Sequence, residues 1–368
     1  MKRKFILFGA TGSIGDSTLD ILRQHPDDFE LTGFTYHNNE AKARLIQKEF
    51  SVKHAHSTAS DDAAEKTRRL LDEPHDFILQ AIVGAAGVTT TLEAARRGDT
   101  ILLANKESLV IAGDVVMSAV KSGKAKLLPV DSEHSSLFRL LQGAADHQVA
   151  KVFLTASGGP LLHVHGDNFY NAPKSLVLKH PTWVMGQKIT VDSAGLTNKA
   201  LEIIEAHHLF NLPYENIQAV IHPQSFVHAA VEFSDGTVTQ HVSHPDMRYP
   251  IAYAMYYPQP PKVSVPGRSL SGYPALEFFP VDEQKFRSYA LGRRAGNMGK
   301  YFPAVYNAAN EAAVAAFLAD EIRFGEIADL IGRALEQNYA AWDYTSIEGL
   351  MAYDKAARDF VKKQALSI

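Results

Sequence analysis

Two carboxylates separated by one residue, Asp131 and Glu133, close the apolar run Leu127-Leu128-Pro129-Val130. Side chains on a strand alternate faces, so a run that continues as strand sends both acids to the same side. Acids held that close repel, and one takes up a proton unless a cation sits between them. Oxygen ligands of this kind suit a hard divalent ion such as Mg²⁺ or Mn²⁺. The competing reading is structural: Glu133 caps a following helix and Asp131 bonds to a loop. A second polar group follows in Asp192-Ser193-Ala194-Gly195-Leu196-Thr197-Asn198-Lys199-Ala200-Leu201-Glu202. A helix starting near Thr197 or Asn198 makes Asn198, Lys199 and Glu202 neighbours, three or four residues apart. With Ser193 they can bind an oxyanion, and Glu202 can add a third carboxylate; the alternative is a solvated helix face. Lys106, within Asn105-Lys106-Glu107-Ser108, is a cation that serves a ligand or else pairs with Glu107. Ser157-Gly158-Gly159-Pro160 can offer a hydroxyl and amides to a phosphate, or form a plain turn. The stretch His180-Pro181-Thr182-Trp183-Val184-Met185-Gly186 has the make-up of a lid that excludes water, or of a buried loop.

These groups need elements to hold them. Lys4–Phe8 is an apolar run followed by Gly9-Ala10-Thr11-Gly12-Ser13-Ile14-Gly15 and a helical pattern over Ser17–Arg23. Strand, glycine loop and helix in that order form a dinucleotide-binding signature, with pyrophosphate on the helix N-terminus. The strand Glu30–Thr35 leads to Tyr36-His37-Asn38-Asn39, where an NAD-selective site carries an acid; none comes before Glu40. That favours NADPH over NADH. Lys42 and Arg44 lie nearby as solvated helix residues. Strands at Phe77–Val83 and Thr100–Ala104, with a helix around Thr90–Arg97, continue a βαβα order to about Lys126, predicting a doubly wound parallel sheet. Strands at 127–130, 151–154, Ile217–His222, Phe226–Phe233 and Thr237–Val242 are expected to form one mixed sheet. The last two are joined by the hairpin signal Asp235-Gly236. A Pro/Gly/Ser-rich stretch from about Tyr257 to Gly272 reads as a linker. Phe302–Ala319, Ile322–Tyr339 and Thr345–Lys363 read as amphipathic helices of a small bundle. The fold class is therefore α/β, in parts spanning 1–126 (Rossmann-like), 127–256 (central α+β, catalytic and dimerising), 257–290 (linker) and 291–368 (helical).

Composition narrows the rest. The chain has 368 residues, 46% hydrophobic and 21% charged, with net charge −4 and no cysteine. Thiolate catalysis, disulfides and Cys-ligated metals are excluded. The charge gives no reason to expect a nucleic-acid or membrane partner. No apolar run approaches the ~20 residues that span a bilayer. A strand expected from Phe5 leaves no room for a signal peptide, and the expected location is the cytoplasm.

The glycine loop, Ala104-Asn105-Lys106-Glu107-Ser108, Pro129-Val130-Asp131-Ser132-Glu133-His134, Ser157-Gly158-Gly159-Pro160, His180 to Gly186 and His222-Pro223-Gln224-Ser225 together closely resemble the 1-deoxy-D-xylulose 5-phosphate reductoisomerases, over nearly the whole chain. The resemblance implies NADPH- and divalent-metal-dependent homodimers that rearrange and reduce 1-deoxy-D-xylulose 5-phosphate to 2-C-methyl-D-erythritol 4-phosphate, in non-mevalonate isoprenoid synthesis. It places metal ligands on Asp131, Glu133 and Glu202, for Mg²⁺ or Mn²⁺, with Co²⁺ admissible. Lys106 joins those three as catalytic. It places substrate contacts on Lys106, Ser132, Glu133, Ser157, His180, Ser193, Asn198, Lys199 and Glu202. NADPH contacts fall on Thr11, Gly12, Ser13, Ile14, His37, Asn38, Asn39, Asn105, Glu107 and Gly186. Three departures stand out. Gly195-Leu196-Thr197 replaces a usual Thr-Met-Met, Ala200 replaces a glycine, and His37 takes a small residue's place. The alternatives are another NADPH-dependent two-domain dehydrogenase for a phosphorylated sugar or semialdehyde, separated by metal dependence, and a catalytically silent NADPH-binding regulator.

Overall fold

The computed structural model describes residues 2–144, 148–183, 185–262 and 269–367. They fall into two compact units. The first takes in the residues up to Ser108, Val116–Ser135 and those from Asp246 onward into the segment near residue 262; the second holds Leu109–Val115, Ser136–Pro245 and the C-terminal residues.

In the first unit six strands, β1 (Arg3–Phe8), β2 (Phe29–Tyr36), β3 (His54–Ser57), β4 (Phe77–Gln80), β5 (Thr100–Leu103) and β6 (Lys126–Pro129), form one sheet in the order β3-β2-β1-β4-β5-β6. All neighbours are parallel. Phe5 to Phe8 are fully buried, as near-continuous apolar runs in parallel strands should be. Phe5 stacks on Phe77 with ring centroids 5.2 Å apart, locking β1 to β4. Chain direction away from the centre reverses at β1, and such a switch point is where open sheets take ligands, beyond the carboxyl ends. At those ends stand the glycine loop (β1), His37 to Asn39 (β2), Asn105 to Glu107 (β5) and Asp131 to Glu133 (β6).

Two expectations are corrected here. The strand expected at 127–130 belongs to this parallel sheet and not to the mixed one: Leu128 pairs with Leu102 of β5. The helix Glu107–Gly123 is a crossover that returns the chain beside β5, and a four-residue apolar strand carries no mark of which sheet will receive it. β3, with sequence His-Ala-His-Ser, was not expected at all. It has no apolar run to betray it and exists as the edge partner of β2.

In the second unit β7 (Val149–Ala156), β8 (Ile217–Ile221), β9 (Val227–Phe233), β10 (Val238–Val242) and β11 (Phe279–Pro280) lie in the order β10-β9-β7-β8-β11. Only β7 and β8 run parallel, so the sheet is mixed. Asp235-Gly236 makes the expected hairpin, with Gly236 at φ +82°. Helices Phe302–Leu318, Phe324–Glu336 and Ile347–Ala365 form the expected bundle within a few residues. Ala308, Ala309 and Ala313 are wholly buried, and such small side chains let helices approach closely. The bundle and the mixed sheet share one apolar cluster, which includes Leu154, Ile204, Tyr306 and Ile331. Residues 263–268, inside the expected linker, lie outside the described residues. No helix among the described residues is long and apolar enough to cross a membrane.

Candidate active site

The glycines of the first loop have separable reasons. Gly9 has φ +85°, and a Cβ there would lie 2.6 Å from the Ala81 carbonyl oxygen. A Cβ on Gly15 would lie 2.3 Å from the Ala10 carbonyl oxygen, so helix and strand touch there. At Gly12 the nearest protein atom would be 3.5 Å away, an ordinary contact. Packing explains the outer two glycines but not the middle one, which leaves room for a ligand to approach the backbone. Helix Ser13–Gln24 begins there with no side-chain cap, so its first N–H groups are available to a phosphate. Thr11 and Ile14 are half-buried and Gly12 and Ser13 exposed, as are His37, Asn38 and Asn39. Asn39 caps helix Glu40–Phe50 by accepting from the Lys42 amide, and His37 Nδ1 lies 3.0 Å from Thr58 Oγ1.

Lys42 differs from the solvated residue expected. Its Nζ donates to the Thr11 carbonyl at 3.0 Å and to the Asp16 carboxylate at 2.7 Å, placing an ammonium on the glycine loop. No sequence spacing signals this, because the contact spans 31 positions.

Asn105 is buried, and its amide donates to the carbonyls of Ile82 and Gly84 at 2.8 and 3.0 Å and to Glu107 at 2.8 Å. A Cβ on Gly87 would lie 2.7 Å from Asn105 Cγ, so that glycine makes room for the brace.

Asp131 and Glu133 do not continue a strand, which corrects the face-alternation argument. β6 stops at Pro129 and helix Ser132–Leu141 follows, its Glu133 amide donating to Asp131 Oδ1 at 3.2 Å. An Asp that accepts from the second helical N–H is a helix N-cap, and this turns the chain out of the strand. Ser132 Oγ donates to Glu133 Oε2 at 2.7 Å. Lys106 pairs with Asp131 at 2.9 Å, both partners being nearly buried. His134, wholly buried, brings Nδ1 to 3.3 Å from Asp131 Oδ1. Burial alone would raise the Asp131 carboxyl, but the Lys106 ammonium and His134 overcome it and hold it well below the usual carboxylate range. His134 was missed as a partner, although its i,i+3 spacing from Asp131 is a legible signal.

In the second unit helix Thr197–Phe210 begins as expected, entered through Leu196 at φ 55°, a conformation that costs a non-glycine residue energy. Asn198 and Lys199 both donate to the Glu202 carboxylate, and Lys199 and Glu202 are buried. These three are thus one hydrogen-bonded cluster, half-buried at Asn198 and buried at Lys199 and Glu202, and not a solvated face. Ala200 is fully buried against helix Arg287–Met298, where a Cβ on Gly292 would lie 2.5 Å from the Ala200 methyl. The missing side chain at Gly292 accommodates the extra methyl at 200. Ser193 ends helix Gln187–Ala194, and Gly159 (φ +66°) lets the Ser157 turn press on it: a Cβ there would lie 2.5 Å from the Ser193 carbonyl oxygen. Ser157 Oγ accepts the Gly159 amide at 3.1 Å.

His180 Nδ1 accepts the amides of Thr182 (3.1 Å) and Trp183 (2.8 Å), so its proton sits on Nε2, which donates to Ser157 Oγ at 3.1 Å. The ring therefore braces the start of the Trp183 segment, and Trp183 lies over His228 with centroids 6.5 Å apart. Val184 of that segment lies outside the described residues, and Gly186 is the exposed N-cap of the Gln187 helix. Burial pushes the His180 imidazole from 6.5 down to about 4. The unfolded chain takes up this proton first. The brace's contribution is therefore full above about pH 6.5 and is lost as pH falls toward about 4. Melting curves of the parent and His180→Gln should differ by a margin that shrinks across this window; a constant margin would mean that the ring is not buried neutral.

Comparison with known proteins decides the family. The profile described as 1-deoxy-D-xylulose 5-phosphate reductoisomerase matches residues 5–113, and profiles for the C-terminal domains of that enzyme match 127–210 and 242–360. The 1-deoxy-D-xylulose 5-phosphate reductoisomerase of Leptospira borgpetersenii serovar Hardjo-bovis is 42% identical, over 96% of this chain and 95% of its own. The chain belongs to the 1-deoxy-D-xylulose 5-phosphate reductoisomerase family. The family's enzyme from Chlorobium phaeovibrioides is 43% identical over 94% of each chain. Among solved structures, a reductoisomerase in complex with NADPH, fosmidomycin and magnesium superposes with TM-score 0.91 at 37% identity, over 99% of this chain and 98% of its own. The Zymomonas mobilis reductoisomerase in complex with NADPH gives TM-score 0.88 at 34% identity, over the full length of both. The chain is thus an oxidoreductase of the reductoisomerase type, and the sugar or semialdehyde dehydrogenase alternative is not favoured.

Proposed function

We propose that this chain binds NADPH along the carboxyl edge of its first sheet and holds a divalent cation through Asp131, Glu133 and Glu202. With these it converts 1-deoxy-D-xylulose 5-phosphate to 2-C-methyl-D-erythritol 4-phosphate. The observation that carries the reading is the nearly buried Lys106–Asp131 pair at the same edge as the glycine loop. Dehydrogenation of an ordinary alcohol has no use for it.

The donor set fits a hard ion. All three ligands are carboxylates, the chain has no cysteine, and two of the acids already hold an ammonium, Lys106 on Asp131 and Lys199 on Glu202. Mg²⁺ or Mn²⁺, which the family's solved complexes with magnesium support, would polarise the substrate's carbonyl and neighbouring hydroxyl oxygens when bound.

The chain's own residues do the remainder. Lys106 stabilises negative charge that develops on the substrate oxygen. Ser157, Ser193, Asn198 and Lys199 hold the remote phosphate, whose binding energy keeps the reacting end in place. Ser132 and Glu133 orient the sugar hydroxyls, and His180 sets the Trp183 segment that keeps water out. Thr11 to Ile14 take the pyrophosphate, while Asn105, with Glu107, shapes the nicotinamide pocket through the loops it braces, and Gly186 is a further cofactor contact. His37, Asn38 and Asn39 line the adenosine ribose. No acid in that turn repels a 2′-phosphate, and Lys42 adds the ammonium nearest to it. The working unit is a homodimer in the cytoplasm, acting on a small phosphorylated substrate with no nucleic-acid or membrane partner.

The test is NADPH oxidation with 1-deoxy-D-xylulose 5-phosphate. Turnover is expected with Mg²⁺ or Mn²⁺, with loss on chelation and recovery on re-addition. NADPH should exceed NADH in kcat/KM by about tenfold, the worth of one charge-assisted contact. Equal use of both would show that the ribose turn does not discriminate, and turnover in chelator would remove the metal from the reading.

A further inference from the structure

Gly195 and Thr197 are two of the positions where this chain departs from the resembling family's larger residues. They line a cavity of about 360 Å³ in the second unit. A Cβ at Gly195 would meet nothing nearer than Thr197 Oγ1 at 3.6 Å and Phe324 at 3.7 Å. Aromatic rings of Phe169, Tyr170 and Phe324 form much of the wall, and the volume is that of a small-molecule site. None of the residues assigned to the substrate above, Ser157, Ser193, Asn198 or Lys199, lines it.

One wall carries an unmet demand. Asn310 is wholly buried and its Nδ2 donates to Asp192 at 2.9 Å. A carboxylate paired with Lys188 at 2.7 Å only accepts, so the amide's orientation is fixed. Asn310 Oδ1 is left buried with no partner among the described residues. A buried acceptor of that kind asks for a donor. The cavity lining also includes half-buried Lys285, whose ammonium donates to the Leu162 carbonyl at 2.5 Å and lies over the Phe169 and Phe286 rings, and exposed Arg287, whose guanidinium also pairs with Asp329 at 2.7 Å; exposed Asp282 is an acid in the same lining. Apolar rings inside, an acceptor at the back and two cations in the lining describe one kind of ligand.

We propose that this cavity is a second small-molecule site, for an aromatic anion that donates a hydrogen bond to Asn310 Oδ1 and sets its acid group against Lys285 and Arg287. Asp192 and Thr197 in its wall are the sequence neighbours of Ser193 and Asn198. Occupation therefore fixes the turn between helices Gln187–Ala194 and Thr197–Phe210, and with it the phosphate anchors. This second half rests on the assignment of Ser193 and Asn198 to substrate.

The probe is 1-anilinonaphthalene-8-sulfonate, which combines aromatic rings, one N–H donor and a sulfonate. It is titrated into the full chain saturated with NADPH and Mg²⁺, so that the reductoisomerase site is filled. The expected result is a fluorescence rise that saturates at one probe per chain. Thr197→Met and Ala328→Met, which fill the cavity from different helices, and Arg287→Glu, at the exposed rim, should each weaken binding at least tenfold, with melting temperature as the check on folding. Unchanged affinity in the folded filled variants, or in Arg287→Glu if both of those fail to fold, overturns the site. So does strictly competitive displacement by fosmidomycin, since coupling between two sites would weaken probe binding only to a limiting value. Bound probe should also raise KM for 1-deoxy-D-xylulose 5-phosphate with kcat unchanged. If KM stays put while binding holds, the coupling is wrong and the site stands. If the chain does not turn over this substrate, the titration still reads the site by itself.

Discussion

Glu202→Gln should lower kcat by about 10²-fold or more while NADPH binding survives. A Lewis acid supplies several kcal/mol of charge stabilisation, and with the ligand set proposed above the change removes one of three anionic ligands. The amide is nearly the same shape, so geometry is preserved and charge is removed. The change also has a structural cost. Lys199 and Asn198 both donate to this buried carboxylate, and the neutral amide takes away a charge that opposes the Lys199 ammonium. A fall in melting temperature is therefore expected beside the fall in kcat. Asp131→Asn is the companion test, because Asp131 lies in the first unit whereas Lys199 and Glu202 lie in the second. Both variants should bind Mn²⁺ more weakly in calorimetric titration. If either turns over at the parent rate in the presence of chelator, these acids are not metal ligands.

Lys106→Met should lower kcat by about 10²- to 10³-fold, the usual cost of removing one preorganised group aimed at developing negative charge. What distinguishes it from the first result is the metal. Lys106 sits 2.9 Å from Asp131, so its ammonium holds the carboxylate proposed above as a cation ligand. Removing it takes away a competitor for Asp131, and apparent Mn²⁺ affinity should rise or hold while turnover collapses. A merely structural ion pair predicts the opposite pattern, with stability and metal affinity falling together and kcat little changed. Lys106→Arg should recover less than a conservative exchange suggests, since a planar fork does not replace a compact point charge.

Much of this protein was legible because its signals are local. The run Phe5–Phe8, the glycine loop and the helix after it lie within some two dozen consecutive residues, so strand, turn and anion-binding helix end can be read together. Asp235-Gly236 likewise holds its own hairpin, and the alanine-rich tail carries its helical period openly. Lys106, Asp131, Glu133, Asn198, Lys199 and Glu202 could also be singled out as candidates from type and spacing. Their arrangement was not. Whether 127–129 joined the first sheet or the second depended on where a crossover helix returned the chain, and a short apolar strand fits either. Lys106 as the partner of Asp131 rests on a contact across 25 positions, which no periodicity encodes. The same holds for Lys42 reaching Thr11, for Gly292 yielding to Ala200, and for the amide of Asn310 spent on Asp192 across 118 positions. Local sequence specifies conformations and the residues available for chemistry. Long-range packing alone decides which charges are buried together, because burial is a property of the folded neighbourhood and not of the chain.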